Sequence, residues 1–156
     1  MRATRSAWLL LLVLVVGPLV LAGCDRISTT APAPTPADFQ GIATELTKNR
    51  IAIDRIVSGD AGCDDPVLIP TAIALDAKGL DQQDPVRIYF YIFRNRASFE
   101  KLRASIDACA SAFVTDPETF ESMEQSPFVV AGQGPWAPEF RAAVRDAIVV
   151  AAGTGD

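Results

Sequence analysis

Apolar residues along this chain recur at two different spacings, which divide its larger part into helices and strands. Helical spacing predicts helices over residues 37–49, 97–113 and 138–151. Short apolar runs predict strands over residues 51–57, 67–76, 86–93 and 128–131. For residues 51–57, continuation of the first helix is the alternative.

The runs over residues 67–76 and 86–93 are the clearest strands, and side chains on both faces of the second run are largely apolar or aromatic. Two such faces indicate a central strand that is covered on both sides of a sheet. The polar connection over residues 76–85 contains Gly79 and Pro85. Its short length favours an antiparallel pair, since a parallel return needs a crossover of about a dozen residues or more.

Residues 116–127 predict a further short helix. Asp116 is suited to cap it, Pro117 is suited to its first turn, and Ser126-Pro127 would end it. Phe120 and Met123 would then form its buried side. A long helical segment before residue 128 would also allow the last strand to run parallel to a neighbour, through a right-handed crossover.

These elements predict one α+β domain over residues 37–156, a length at which a single core is normal. The expected architecture is a small, mainly antiparallel sheet of three to four strands with helices packed on it. No internal repeat is visible in the sequence.

The first 24 residues have the layout of an export signal: Arg2 and Arg5, an apolar run over residues 8–21, and a small-residue cleavage site. A membrane-spanning helix is the alternative, but the run is short and is broken by Gly17-Pro18. Leu-Ala-Gly-Cys at residues 21–24 resembles the lipobox of bacterial lipoproteins. The resemblance implies that residues 1–23 are a signal peptide and that the Cys24 thiol carries a diacylglycerol.

Residues 24–36 follow as a tether rich in Pro, Thr and Ala, in an extended form. Removal of the signal peptide changes the net charge from −5 to −7, because Arg2 and Arg5 leave with it. An acidic surface disfavours nucleic acid as a partner. We therefore expect membrane attachment through the lipid alone, on the extracytoplasmic face of the cell membrane.

Cys63 and Cys109 remain after Cys24 is assigned to the lipid. Disulfides persist outside the cytosol, so an even number of cysteines in an exported domain predicts a bond between these two. Cys109 lies on the apolar stripe of the helix over residues 97–113, where the loop containing Cys63 could meet it. Two separate buried thiols are the alternative.

Two groups of residues are candidates for ligand binding. Gln133 and Trp136 lie in a Gly-Gln-Gly-Pro-Trp turn before the last helix, where free backbone N–H groups and an indole ring could hold an anion. Arg87, Tyr89 and Tyr91 share one strand face and could bind sugar or peptide. A tight turn with a buried tryptophan, and a second core face, are the favoured alternatives.

The remaining polar patterns give no catalytic motif. The chain contains no histidine, which removes the commonest general base and metal ligand. Asp60, Asp64 and Asp65 could ligate calcium, but Asp-Asp-Pro is ordinary turn chemistry, so we expect no metal and no cofactor. The favoured hypothesis is a non-enzymatic binding or interaction module of the bacterial cell envelope, with an envelope protein or small ligand as partner. A carboxylate-based hydrolase of envelope polymers is the alternative.

Overall fold

The computed structural model describes residues 39–153, which form an antiparallel sheet with helices on both faces. The strands are β1 (Ile51–Ser58), β2 (Ala72–Gly79), β3 (Gln82–Ile92), β4 (Phe120–Gln125) and β5 (Phe128–Gln133). The helices are α1 (Phe39–Lys48), α2 (Arg96–Ala110) and α3 (Pro138–Ala152). The α+β class is confirmed, but the sheet has five strands in the order β1-β2-β3-β5-β4 rather than three to four.

Two apolar clusters form the core, one on each face of the sheet. Helices α1 and α3 cover the first face with, among others, Ile42, Leu46, Phe140, Val144 and Ile148. Helix α2 and the loop after β1 cover the second face, where the buried residues include Leu68, Tyr91, Phe93, Ile106 and Val129. Burial on two sides explains why so few of the sheet's central residues are polar.

Strand β3 is the central strand, as predicted. Ile88 and Phe90 point into the first cluster, whereas Tyr91 and Phe93 point into the second. The strand begins earlier than predicted, because β2 and β3 extend to a tight turn at Leu80-Asp81, where Gly79 pairs with Gln82. The predicted polar connection over residues 76–85 is therefore mostly paired sheet.

The prediction of a short helix after Asp116 is wrong for most of its length. A single 3-10 turn, Pro117–Thr119, is capped by the Asp116 side chain and leads directly into β4. Phe120 and Met123 point to opposite faces of the sheet, into the second and first clusters respectively. Residues three apart share a face in a helix but lie on opposite faces of a strand.

Two other boundaries differ from the prediction. Residues 67–71 are not strand, because Asp65 accepts hydrogen bonds from Val67 N and Leu68 N and starts a turn there. The last strand, β5, is antiparallel to both β3 and β4, so the parallel alternative is wrong. Residues 51–58 are strand, so helix continuation there is wrong as well.

The edge strands are β1 and β4. A bulge interrupts the pairing of β1 with β2 between Asp54 and Val57, and within it Arg55 adopts a left-handed φ of 46°. Strand β4 has six residues, and its Glu121 and Glu124 form ion pairs with Arg141 and Arg103.

Helix α3 is capped by residues that are distant in sequence. Its N-cap residue, Ala137, has no side chain that could accept a hydrogen bond. The turn between β2 and β3 takes this role: Asp81 accepts from the backbone N–H groups of Glu139 and Phe140, both at 2.9 Å, and Gln82 Oε1 accepts from Ala137 N at 3.0 Å. The hairpin thus fixes the start of α3 on the sheet.

Candidate binding site

The loop between β1 and the first 3-10 turn, residues 59–68, is called here the disulfide loop. Cys63 in this loop is bonded to Cys109 of α2, with 5.4 Å between their Cα atoms, which confirms the predicted pairing. Cys109 is almost fully buried, whereas Cys63 is partly exposed. The bond fastens a segment without regular secondary structure to the helix that covers the second face of the sheet.

Two side chains of β3 hold the same loop from the other side. The Tyr91 hydroxyl donates to the Ala61 carbonyl oxygen at 2.8 Å, and Arg87 Nη2 donates to Asp60 Oδ2 at 2.8 Å. Asp60 Oδ1 also accepts from Gly62 N at 3.0 Å, which turns the chain back on itself. The disulfide loop is therefore fixed at Asp60 by an ion pair, at Ala61 by a buried hydrogen bond and at Cys63 by a covalent bond.

Arg87 belongs to a larger charge network across three strands. Its Nη1 donates to Asp76 Oδ1 of β2 at 3.1 Å and to the Arg55 carbonyl oxygen of β1 at 3.0 Å. The other carboxylate oxygen of Asp76 forms an ion pair with the Arg55 guanidinium. Asp76 is 5% exposed and is the buried charged residue of the described part of the chain. Buried carboxylates need such partners, because desolvation of an unpaired charge is costly.

An open depression with a volume of about 570 Å³ lies beside the disulfide loop. The lining residues are Gly59, Asp60, Ala61, Gly62, Cys63, Asp64, Ile69, Tyr89 and Ala112. The Tyr89 ring stacks on Phe113 with 4.3 Å between centroids, and the Arg87 guanidinium lies 6.0 Å from the same ring. The depression thus combines an aromatic ring, two carboxylates and the backbone of a fixed loop.

Burial distinguishes the two tyrosines of β3. Tyr91 is fully buried, and this burial raises the pKa of its hydroxyl well above the ordinary value. Tyr89 is partly exposed; burial raises the pKa of its hydroxyl, and the Asp60 carboxylate adds to the rise. Both hydroxyls are therefore neutral hydrogen-bonding groups at physiological pH, and of the two tyrosines Tyr89 lines the depression.

The other sequence candidates lie elsewhere. Trp136 is 4% exposed, packs edge-on against Phe140 in the first cluster and donates from Nε1 to the Gln133 carbonyl oxygen at 3.1 Å. The Gln133 side chain accepts from Thr115 N and donates to Thr119 Oγ1, which holds the segment before β4. An added Cβ on Gly132 would lie 2.8 Å from the Trp136 ring, so this glycine provides space for the indole.

The three aspartates that could ligate calcium have separate roles in the structure. Asp60 pairs with Arg87, Asp65 caps the turn at residues 67–68, and Asp64 lines the depression. Residues 39–153 hold no group of three or more His, Cys, Asp or Glu side chains suited to a metal ion. In the same range, no helix is long and apolar enough to cross a membrane. Cys24, the predicted tether and the predicted signal peptide lie outside the described residues.

Asp76 and Arg55 were not identified from the sequence. A single aspartate within the otherwise apolar run Ala-Ile-Ala-Leu-Asp-Ala of β2 was the available signal, because an isolated acid in a buried strand requires a cationic partner. Arg55 gave no such signal, since its orientation depends on the bulge in β1.

Comparison of the chain with models of known protein families, with curated proteins and with solved structures finds no match.

Proposed function

We propose that this chain is a lipid-anchored, extracytoplasmic binding module of the bacterial cell envelope, and that it contacts its partner through the disulfide loop and the adjacent depression. The observation that carries this proposal is the fixation of an irregular loop by the disulfide, by the Tyr91–Ala61 hydrogen bond and by the Arg87–Asp60 ion pair. Functional residues are frequently on loops that a rigid scaffold positions.

The energetic reason is preorganisation. A flexible loop loses conformational entropy when a partner orders it, and this cost reduces affinity by about 0.5–1.5 kcal/mol per immobilised side chain. A loop that is already fixed does not incur most of that cost. Tyr89 also adds an aromatic surface at the rim, a residue type that is enriched in protein interfaces.

One sequence feature and one structural feature support the proposed location. The lipobox at residues 21–24 supports lipid attachment at Cys24. The disulfide supports an oxidising compartment, because such bonds are rare in the cytosol. A diacylglycerol supplies two acyl chains, which is the number needed for stable anchoring.

The residues of the depression give less support to a carboxylate hydrolase. Such an enzyme needs two carboxyl groups that face each other across the bond to be cleaved. The depression is lined by Asp60 and Asp64 of one loop, and Asp60 is already ion-paired with Arg87. Pockets that hold small ligands or substrates bury most of the bound molecule, whereas this depression is open.

Site-directed photocrosslinking in the native cell tests the binding surface. A photoreactive amino acid at position 64 should give a discrete adduct, whereas the same residue at the exposed position 146 of α3 should not. Arg87→Met should weaken the adduct from position 64, because it frees Asp60 and loosens the loop. Equal labelling at positions 64 and 146 would overturn the proposed surface.

Lipid attachment needs a separate measurement. The wild-type chain should incorporate labelled palmitate and fractionate with membranes, and mass spectrometry should place the lipid on Cys24. Cys24→Ser should abolish both incorporation and membrane retention. An unmodified Cys24 thiol in membranes of the native host would exclude the anchor without affecting the crosslinking result.

A further inference from the structure

The two sulfur atoms of the disulfide have different surroundings. Cys63 lines the open depression, whereas Cys109 is 3% exposed and lies within the second apolar cluster. Thiol–disulfide exchange requires a thiolate to reach one of the two sulfurs, so access determines which sulfur is attacked. In the folded domain, that sulfur is the one of Cys63.

The structure provides a hydrogen-bond partner for Cys109 after reduction. The Cys109 Sγ lies 3.0 Å from the Ala61 carbonyl oxygen and 3.9 Å from the Tyr91 hydroxyl. Once it is protonated, the Cys109 thiol can donate to the Ala61 carbonyl oxygen, which has a second lone pair beside the one that accepts from the Tyr91 hydroxyl. Reduction therefore leaves no unsatisfied polar group at this buried position.

The disulfide loop also has attachments that do not depend on the bond. Arg87–Asp60 and Tyr91–Ala61 hold the residues immediately before Cys63, and Asp65 caps the turn that follows it. These contacts would persist after reduction. The product would be a folded domain that carries a Cys63 thiol in the depression.

We infer that the Cys63–Cys109 disulfide is exchangeable in the native fold, and that Cys63 is the site at which an external thiol forms a mixed disulfide. In the first step, a thiolate bonds to Cys63 Sγ, the Cys63–Cys109 bond breaks, and its electron pair goes to Cys109 Sγ, which is protonated from solvent. In the second step, another thiolate attacks the external sulfur and releases Cys63. Two external thiols are oxidised to one disulfide, and the two cysteines are reduced.

The test uses glutathione as the probe and the mature, lipidated protein in detergent. After brief incubation without denaturant, N-ethylmaleimide and denaturant are added together to block all free thiols, and the modified residues are located by peptide mass spectrometry. We expect glutathione on Cys63, N-ethylmaleimide on Cys109, and an unchanged far-ultraviolet circular dichroism spectrum before the denaturant is added. A glutathione adduct on Cys109, or exchange only at denaturant concentrations that unfold the domain, would overturn the inference.

A charge variant tests whether the attack takes place in the depression. Asp64 is exposed beside Cys63 and repels an approaching thiolate. Asp64→Lys should accelerate adduct formation roughly three- to tenfold at low salt, and high salt should reduce the difference. Asp146→Lys, the matched change on α3, should alter the rate by less than about twofold. Equal rates for wild type and Asp64→Lys would place the attack elsewhere and contradict the inference.

Discussion

At the scale of single residues, the Asp76 carboxylate joins arginines of two neighbouring strands. Its two carboxylate oxygens serve Arg87 and Arg55, and it is nearly fully buried. Asp76→Asn keeps the shape but removes the charge that both guanidinium groups need. We expect a loss of about 2 kcal/mol in the free energy of unfolding, less than for a fully buried pair because Arg55 is largely exposed.

Urea unfolding of Asp76→Asn and of Asp146→Asn measures this effect. Asp146 is exposed on α3, so its substitution should change the free energy by less than about 0.5 kcal/mol. A loss in Asp76→Asn no larger than in the control would show that the network does not contribute to stability.

Substitution by alanine should have opposite effects on stability at two glycines. At Gly132, a new Cβ would lie 2.7 Å from the Arg87 carbonyl oxygen and 2.8 Å from the Trp136 ring. At Gly41, in α1, a new Cβ would meet nothing within 4 Å. Gly132→Ala should therefore destabilise the domain by about 1–3 kcal/mol, and Gly41→Ala should stabilise it by about 0.5–1 kcal/mol.

Thermal unfolding of both alanine variants, monitored by circular dichroism, tests this contrast. A shift of the same sign in the two variants would contradict the close approach of the indole to β5. The glycines of the Gly-Gln-Gly-Pro-Trp turn would then need another explanation.

At the scale of secondary structure, periodicity predicts most elements. It fails where pairing with a neighbouring strand determines the conformation of a segment. The apolar stripe of α2 and the apolar run of β3 are properties of each segment alone, so the sequence predicts both. Phe120 and Met123 have helical spacing behind a helix-type cap at Asp116, but β5 is available as a neighbour and pairs with this segment. Such pairing between segments is not visible in the local pattern.

The cap of α3 is an interaction between elements with a predictable pH dependence. Partial desolvation alone would raise the pKa of Asp81, but hydrogen bonds from Glu139 N and Phe140 N hold it below its ordinary value of 3.8. A group whose pKa is lowered by folding adds stability above its unfolded pKa and loses it as pH falls through the folded pKa. Asp81→Ala should therefore lower the thermal midpoint at pH 7.

The difference in thermal midpoint between wild type and Asp81→Ala should shrink as the pH is lowered below about 4. Asp84→Ala, on the same hairpin and exposed, is the control and should behave as wild type at both pH values. A difference that is independent of pH would show that the Asp81 carboxylate does not cap α3 in its ionised form.

At the scale of the whole molecule, the disulfide links two segments that are 46 residues apart in sequence. In the loop-entropy model, closing a loop of this length stabilises the folded state by roughly 4 kcal/mol, and measured values often fall lower. Replacing Cys63 and Cys109 with serine should reduce the free energy of unfolding by about 2–4 kcal/mol. Urea unfolding measures the total, and hydrogen exchange should show the earliest loss of protection in residues 59–68.

If protection from hydrogen exchange were lost uniformly, or first in β3, this would contradict a local role for the disulfide. A reduced wild-type sample is the natural comparison, since it keeps both sulfur atoms. Its free energy of unfolding should match that of the serine variant within about 1 kcal/mol.

The candidate site is a property of the assembled molecule, which limits what sequence alone reveals. The cysteine pairing was predictable because two thiols remained after one was assigned to the lipid. The Arg87–Asp60 and Tyr91–Ala61 contacts join residues that are 27 and 30 positions apart, and no periodicity links them. Arg87, Tyr89 and Tyr91 were identified as a group, but their separate roles depend on which of them the disulfide loop covers.

The two edge strands, β1 and β4, affect how copies of the protein meet when they are crowded together. The bulge in β1 twists its backbone away from a flat edge, and the short β4 presents glutamates that are fastened to neighbouring arginines. Edge strands of this kind pair poorly with a strand from another copy. Molecules packed side by side on a surface would therefore resist sheet-to-sheet aggregation.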